Sequence, residues 1–273
     1  MTFGSISLRK RLLHLTAAFA LALSSSTALA NTEATVSDPA SDEFGWRAYR
    51  PLRNFKDGFG LMVDRQSQWT LLGGSLAVIA ARQFDGEAQD YFNRKGRLGG
   101  SERIGNDFLG TGIPGVLLGS GFWIAGESLK DKKLVHLGQA NLEALLVTTL
   151  ITSAVKVGVG RERPDGSNTR SFPSGHTSSW TATAAVFSEF YGWKVGVPMY
   201  MLSAFTAASR MSENRHWLSD TVGGALVGVW VGRSFARAHL AQLEPNQNGL
   251  ASRVRWMPVY EPGGGQIVAQ LAW

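Results

Sequence analysis

A chain of 273 residues with 44% hydrophobic content is long enough to bury a full core in one domain, which excludes a disordered or low-complexity protein. The absence of cysteine excludes disulfides, thiolate metal sites and a cysteine nucleophile. Twenty-seven basic residues face 21 acidic ones, but three of the basic ones lie within the first thirty positions; the remaining 24 against 21 are too near balance for a nucleic-acid-binding protein, which gathers its cations into a stripe or patch.

Those three cations, Arg9, Lys10 and Arg11, precede the apolar run 12–23, and Ala28 and Ala30 then offer a small-residue cleavage site. Residues 1–30 therefore read as a secretory signal peptide, since the run is shorter than the ~20 residues a membrane span needs. Export to the periplasm or cell envelope is the expectation. Residues 31–44 are rich in Ser, Thr, Asp, Ala and Pro without periodicity, and 31–55 read as a flexible mature N-terminus. From 56 to 240, helix-length apolar or amphipathic segments alternate with polar punctuation such as "FDGE", "LGGSERIGND" and "ESLKDKK". This pattern predicts an all-α helical bundle of about six core helices, near 60–83, 104–126, 134–157, 175–191, 195–211 and 217–238. Residues 241–273 change period: "RVRWMPVYEPGGGQIVAQLAW" alternates on both sides of a Pro-Gly-Gly-Gly turn and predicts a short C-terminal β-hairpin against the bundle edge.

The stretch 108–126 carries no charge, but it holds six glycines and Pro114 and is only weakly hydrophobic. With a mean hydropathy of -0.05 for the chain, this favours a soluble or peripheral bundle over a polytopic membrane protein, with insertion left open.

Three stretches carry chemistry. In "SRMSENRHWLSD", His216 and Asp220 are four residues apart, so on a helix the carboxylate would accept a hydrogen bond from one ring nitrogen and leave the other as a nucleophile or base. A surface His–Asp pair has the same spacing. In "FPSGHTSS", Ser174 is placed to cap a helix whose first turn holds Gly175 and His176, turning free N–H groups toward an anion; plain capping gives the same pattern. In "KVGVGRERP", Lys156, Arg161 and Arg163 end a helix and enter a proline-stopped loop, as solvated helix ends often do. Taken together the three are less ordinary: Lys156, Arg163 and Arg210 supply cations for a tetrahedral oxyanion, Ser174 and the Gly175 amide add neutral donors, and two histidines are left for covalent work.

These stretches resemble the three signature motifs of the type 2 phosphatidic acid phosphatase superfamily, which also includes bacterial non-specific acid phosphatases and vanadium haloperoxidases. The likeness covers positions 156–220, and every defining position matches; only eight residues separate Pro164 from Pro173, a short connection that bears on substrate access. The resemblance implies a helical bundle with the site at one end. It implies His216 as the nucleophile forming a phosphohistidine, Asp220 as its orienting partner, and His176 as general acid and later base. Lys156, Arg163, Ser174, Gly175 and Arg210 would bind the phosphoryl oxygens without a metal or other cofactor.

Three functions share this cradle. The leading one is a phosphatase acting on a phosphomonoester, lipid or lipid-linked, at a membrane surface. A vanadium-dependent haloperoxidase would use vanadate as cofactor where the phosphatase meets it as an inhibitor, and a non-specific acid phosphatase would take soluble esters. A non-enzymatic anion-binding scaffold would not need the nucleophile, acid and cations intact. Arg161 and Arg215, outside the motif positions, read as solvated side chains, with a widened positive funnel around the site as the alternative, and His136 reads as structural.

Overall fold

The structure, a computed structural model, describes residues 49–94, 101, 104–243, 254–261 and 264–271. The expected signal peptide lies outside the described residues, as does most of the expected flexible segment.

Eight α-helices follow in chain order: α1 (Pro51–Met62), α2 (Arg65–Arg82), α3 (Asp85–Arg94), α4 (Ile113–Leu129), α5 (Lys132–Val159), α6 (Gly175–Tyr191), α7 (Trp193–Ser212) and α8 (Leu218–Leu243). A π-helical turn, Ile104–Phe108, and a 3-10 turn, Leu109–Thr111, precede α4. Their boundaries follow local chemistry. Proline opens α1, where its missing N–H costs nothing. The Asp64 carboxylate accepts the Ser67 N–H at 2.7 Å to cap α2, and the Asp131 carboxylate accepts from Lys133 and Leu134 to cap α5. Gly160, at φ +59°, ends α5 in a left-handed conformation that glycine adopts without strain.

The core is built by α5, α6 and α8: Leu137, Ala140, Ala144 and Val147 meet Val186, Phe187 and Phe190, and Val231, Phe235 and Ala236 close the layer, with Met62 of α1 beside them. On the α6-facing side of α8 runs a stripe of glycines at successive turns. A methyl group at Gly224 would lie 2.5 Å from the Ser174 carbonyl oxygen, one at Gly228 2.5 Å from that of Ser178, and one at Gly232 2.6 Å from that of Ala182. The two helices therefore touch backbone to backbone, which brings their N-termini side by side.

The expected fold class is corrected. The described bundle has eight α-helices rather than about six, because α1 is short and amphipathic and α3 short and mostly polar, so neither presents a long apolar run; "FDGE" is the start of α3 rather than a loop. The expected helix at 104–126 begins only at Ile113, after the π and 3-10 turns. Nor does a sheet form part of the fold: the backbone of 254–261 pairs antiparallel with that of 264–271 alone, and the bundle is built without it.

Among the described residues one helix, Lys132–Val159, is long and apolar enough to cross a membrane. Large apolar side chains also face outward on α2 (Trp69, Leu72, Leu76, Ile79), on α4 (Ile113, Leu117, Ile124) and on α7 (Trp193, Val197, Met201).

Candidate active site

The end of α5, the loop 160–174, the start of α6, the end of α7 and the turn into α8 meet at one end of the bundle. Lys156, in the last turn of α5, donates from Nζ to the main-chain oxygens of Arg170 at 2.8 Å and Ser171 at 3.4 Å, so the loop folds back over it. Arg163 leaves that loop with its Nε buried and without a hydrogen-bond partner. Ser174 is fully buried, and its hydroxyl caps α6 by accepting from Thr177 N at 3.4 Å and Thr177 Oγ1 at 3.0 Å, leaving its own hydrogen to donate. Gly175 puts the first turn of α6 against Lys156: a methyl group there would be 3.8 Å from Cε. Arg210 is buried at the end of α7, where Nη1 pairs with Glu213 Oε2 at 3.1 Å.

Both histidines are kept neutral. Burial, reinforced by Arg210, His216, Lys156 and Arg163, pushes His176 down to about 3. Burial also pushes His216 down to about 4, with Lys156 and Arg210 adding to the effect and Asp220 opposing it. Lys156 falls to about 8, chiefly through burial and then Arg163. Lys156, Arg163, Arg210, His176 and His216 thus lie at one end of the bundle and bear on one another's charge.

His216 departs from the expectation in one respect. It precedes α8 instead of riding on it, and its Nδ1 is 3.6 Å from Asp220 Oδ2, an ion-pair distance longer than a hydrogen bond. The Nδ1 atom is buried with no hydrogen-bond partner. Asp220, fully buried, is held by others: Oδ1 accepts Arg161 Nη1 at 2.7 Å, and Oδ2 accepts the Ser171 hydroxyl and the Trp217 N–H, the latter at 2.9 Å. Burial raises the Asp220 carboxyl, but the His216 imidazole, the Ser171 hydroxyl and the Arg161 guanidinium together hold it below the usual range.

The reading of Arg161 as solvated is therefore corrected. Its Nη1 also donates to Ser219 Oγ at 2.6 Å, and its Nη2 pairs with Asp85 Oδ2 at 2.7 Å. Asp85 in turn accepts the Ser219 N–H and hydroxyl, each at 2.8 Å. Arg215 pairs with Asp165 at 2.9 Å and stays partly exposed. His136 sits at the far end of α5, with its Nδ1 3.0 Å from His239 Nδ1, and Glu143 holds the second ring of that pair. Asp85, Ser171 and Ser219 were missed by motif reasoning because each is an ordinary residue type with no distinguishing spacing; only Ser171 and Ser219, beside the motifs, carried any positional hint. Gly110 was also missed: a methyl group there would lie 2.2 Å from His176 Cδ2, so the 3-10 turn rests directly on that ring. Among the described residues no group of three or more His, Asp or Glu side chains is placed to hold a metal ion.

Fold and site together define a helical bundle that gathers Lys156, Arg163 and Arg210 and two buried, neutral histidines at one end. Residues 140–243 match the model of the PAP2 superfamily. A lipid A 1-phosphatase of Porphyromonas gingivalis is 44% identical over 85 residues, 30% of this chain and 19% of that protein. A PA-phosphatase related-family protein of Dictyostelium discoideum is 29% identical over 153 residues, 45% of this chain and 55% of that one. The chain thus spans less than two thirds of either curated relative. It is also similar to the crystal structure of a transmembrane PAP2 type phosphatidylglycerolphosphate phosphatase from Bacillus subtilis, at 18% identity and a TM-score of 0.37, covering 72% of this chain and 99% of that one.

Proposed function

We propose that the chain is a phosphatase that hydrolyses a phosphomonoester, lipid or lipid-linked, through a phosphohistidine on His216. The observation that carries the reading is the convergence of Lys156, Arg163 and Arg210 with the capped N-terminus of α6 beside two buried, neutral histidines.

In the first step Nε2 of His216 attacks phosphorus and forms the N–P bond. The ester P–O bond breaks, its electron pair leaves with the alkoxide oxygen, and His176 supplies that oxygen with a proton. In the second step His176 takes a proton from water, the water oxygen attacks phosphorus, and the N–P bond breaks to release inorganic phosphate. Neutrality of His216 at ordinary pH leaves its lone pair available for attack. His176 is also neutral in the free protein, because burial and the surrounding cations exclude its proton. An incoming phosphoryl group offsets those cations, so the proton enters with the substrate and is then delivered to the leaving oxygen. The cations stabilise the equatorial charge as it develops, so no metal is required.

The outward apolar faces of α2, α4 and α7 support contact with lipid, and the curated relative acting on lipid A supports a lipid-linked substrate. Export to the envelope completes the reading; a mature protein that keeps Met1 would remove that part of it. The deciding experiment is phosphate release from lipid and soluble esters with and without EDTA. Release from lipid phosphates that survives EDTA is expected. Activity confined to soluble esters would favour the non-specific acid phosphatase, and loss restored by a divalent cation would overturn the metal-free mechanism.

A further inference from the structure

We infer that Arg161 and Asp85 are a positioning pair that orients the carboxylate of Asp220, and through it the imidazole of His216, by clamping the turn into α8 against the start of α3. The inference rests on the reading of His216 as nucleophile.

Asp220 is i+4 from His216, but the histidine lies outside the helix, so nothing in helix geometry fixes the carboxylate relative to the ring. The fixing comes from elsewhere. One guanidinium edge reaches two carboxylates: Nη1 binds Asp220 Oδ1 at 2.7 Å and Nη2 binds Asp85 Oδ2 at 2.7 Å. A planar fork held at both ends cannot rotate, and it fixes which oxygen of Asp220 it occupies. Oδ1 is thereby committed to Arg161, and Oδ2 is the atom turned toward His216 Nδ1. Asp85 holds the same turn a second time by accepting the Ser219 N–H and hydroxyl, so the residue before Asp220 is tied to α3 through main chain and side chain. The Trp217 ring covers the guanidinium at 5.4 Å and donates its own N–H to the Glu162 carbonyl, which closes the assembly against the 160–174 loop.

The side chains of Arg161, Asp85 and Asp220 are 19%, 9% and 0% exposed, so the pairs are shielded from water and hold direction better than a surface pair would. The hydrogen bonds of the pair go to each other, to Asp220 and to Ser219, behind His216, so the pair acts on the orientation of the nucleophile and leaves the phosphate cradle to Lys156, Arg163 and Arg210. Groups that orient a metal-bound histidine from behind typically cost about 10- to 100-fold when removed, and the same scale is taken for a histidine oriented here for attack.

The test uses the full-length protein with Arg161→Lys, Arg161→Gln and Asp85→Asn, each checked by thermal melting. It reads kcat, KM and competitive inhibition by inorganic phosphate against pH. The expected result is a fall in kcat of about 10-fold for Arg161→Lys and about 100-fold for Arg161→Gln, with phosphate inhibition within about threefold of the parent. Only Arg161→Gln should also move the acid limb of kcat to higher pH, because Asp220 then loses a cation that keeps it ionised. If the Arg161 variants do not fold, Asp85→Asn decides: it keeps an acceptor for the Ser219 N–H, and a roughly 10-fold loss of kcat with a normal melt is expected. Folded variants with kcat within threefold of the parent, or with the loss confined to KM and phosphate binding, would overturn the inference while leaving the phosphatase reading intact. A parent protein that releases no phosphate from any ester would remove both.

Discussion

The main-chain N–H of Ser174 donates to the main-chain oxygen of Asp220 at 2.9 Å, joining the cap of the helix that bears His176 to the residue behind His216. His176 and His216 are thus referred to each other by backbone, and the following expectations probe that coupling.

His216→Ala should abolish turnover on every ester, since the phosphohistidine can no longer form at that position; turnover retained in the variant would remove His216 as nucleophile. His176→Ala should damage hydrolysis of alkyl phosphates far more than that of p-nitrophenyl phosphate, whose leaving group needs no proton. Equal losses on both substrates, measured as kcat/KM, would take His176 out of the acid role.

The pH profile of kcat/KM should have two limbs. His216 must be neutral to attack, so activity falls as pH drops through about 4; Lys156 must be charged to hold phosphate, so activity falls as pH rises through about 8. In Lys156→Arg the alkaline limb should move up, because a guanidinium keeps its charge there. An unmoved limb would assign it to another group.

Gly110→Ala places a methyl group where the His176 ring lies, 2.2 Å from Cδ2 in the present geometry. The ring must shift, and a misplaced acid of this kind costs on the order of 10²-fold. The loss should again be selective for poor leaving groups. A variant with full activity on alkyl phosphates would mean that the turn, not the histidine, gives way.

Vanadate takes up five ligands readily and should mimic the phosphoryl transition state, inhibiting competitively and more tightly than phosphate. Arg163→Ala should weaken that inhibition by removing a guanidinium whose buried Nε is free to donate. Robust peroxide-dependent bromination with vanadate, together with negligible ester hydrolysis, would instead establish the haloperoxidase.

The positions legible in the sequence are those where an uncommon residue type has a fixed neighbour: Lys156 seven residues before Arg163, Ser174 two before His176, His216 four before Asp220. The helices α5 to α8 were legible for a related reason, since long apolar segments with sharp caps leave little choice of boundary. What stayed hidden depends on contacts between distant segments. Asp85 looks like any acidic residue in a polar connector until α3 brings it to Arg161, and Arg161 looks like one more cation at a helix end until the fold surrounds it with two carboxylates. The α3 helix itself offers no apolar stripe to read, because it is short and most of its residues are polar or charged. The expected hairpin failed as part of the fold for the converse reason: a period-2 pattern specifies a strand, but only tertiary contacts decide whether a strand joins the domain.

The glycine stripe of α8 assigns different tolerances to different sides of the same molecule. On its inner side, where Gly224, Gly228 and Gly232 rest on α6 carbonyl oxygens, even one added carbon has no room, and any displacement is passed along two stiff rods to the histidines at their ends. On the outer faces of α2, α4 and α7 one large apolar side chain can replace another without disturbing that spacing. The outer faces can therefore accept change in what surrounds them, whereas the distance between the His176 and His216 rings cannot change without repacking the two helices.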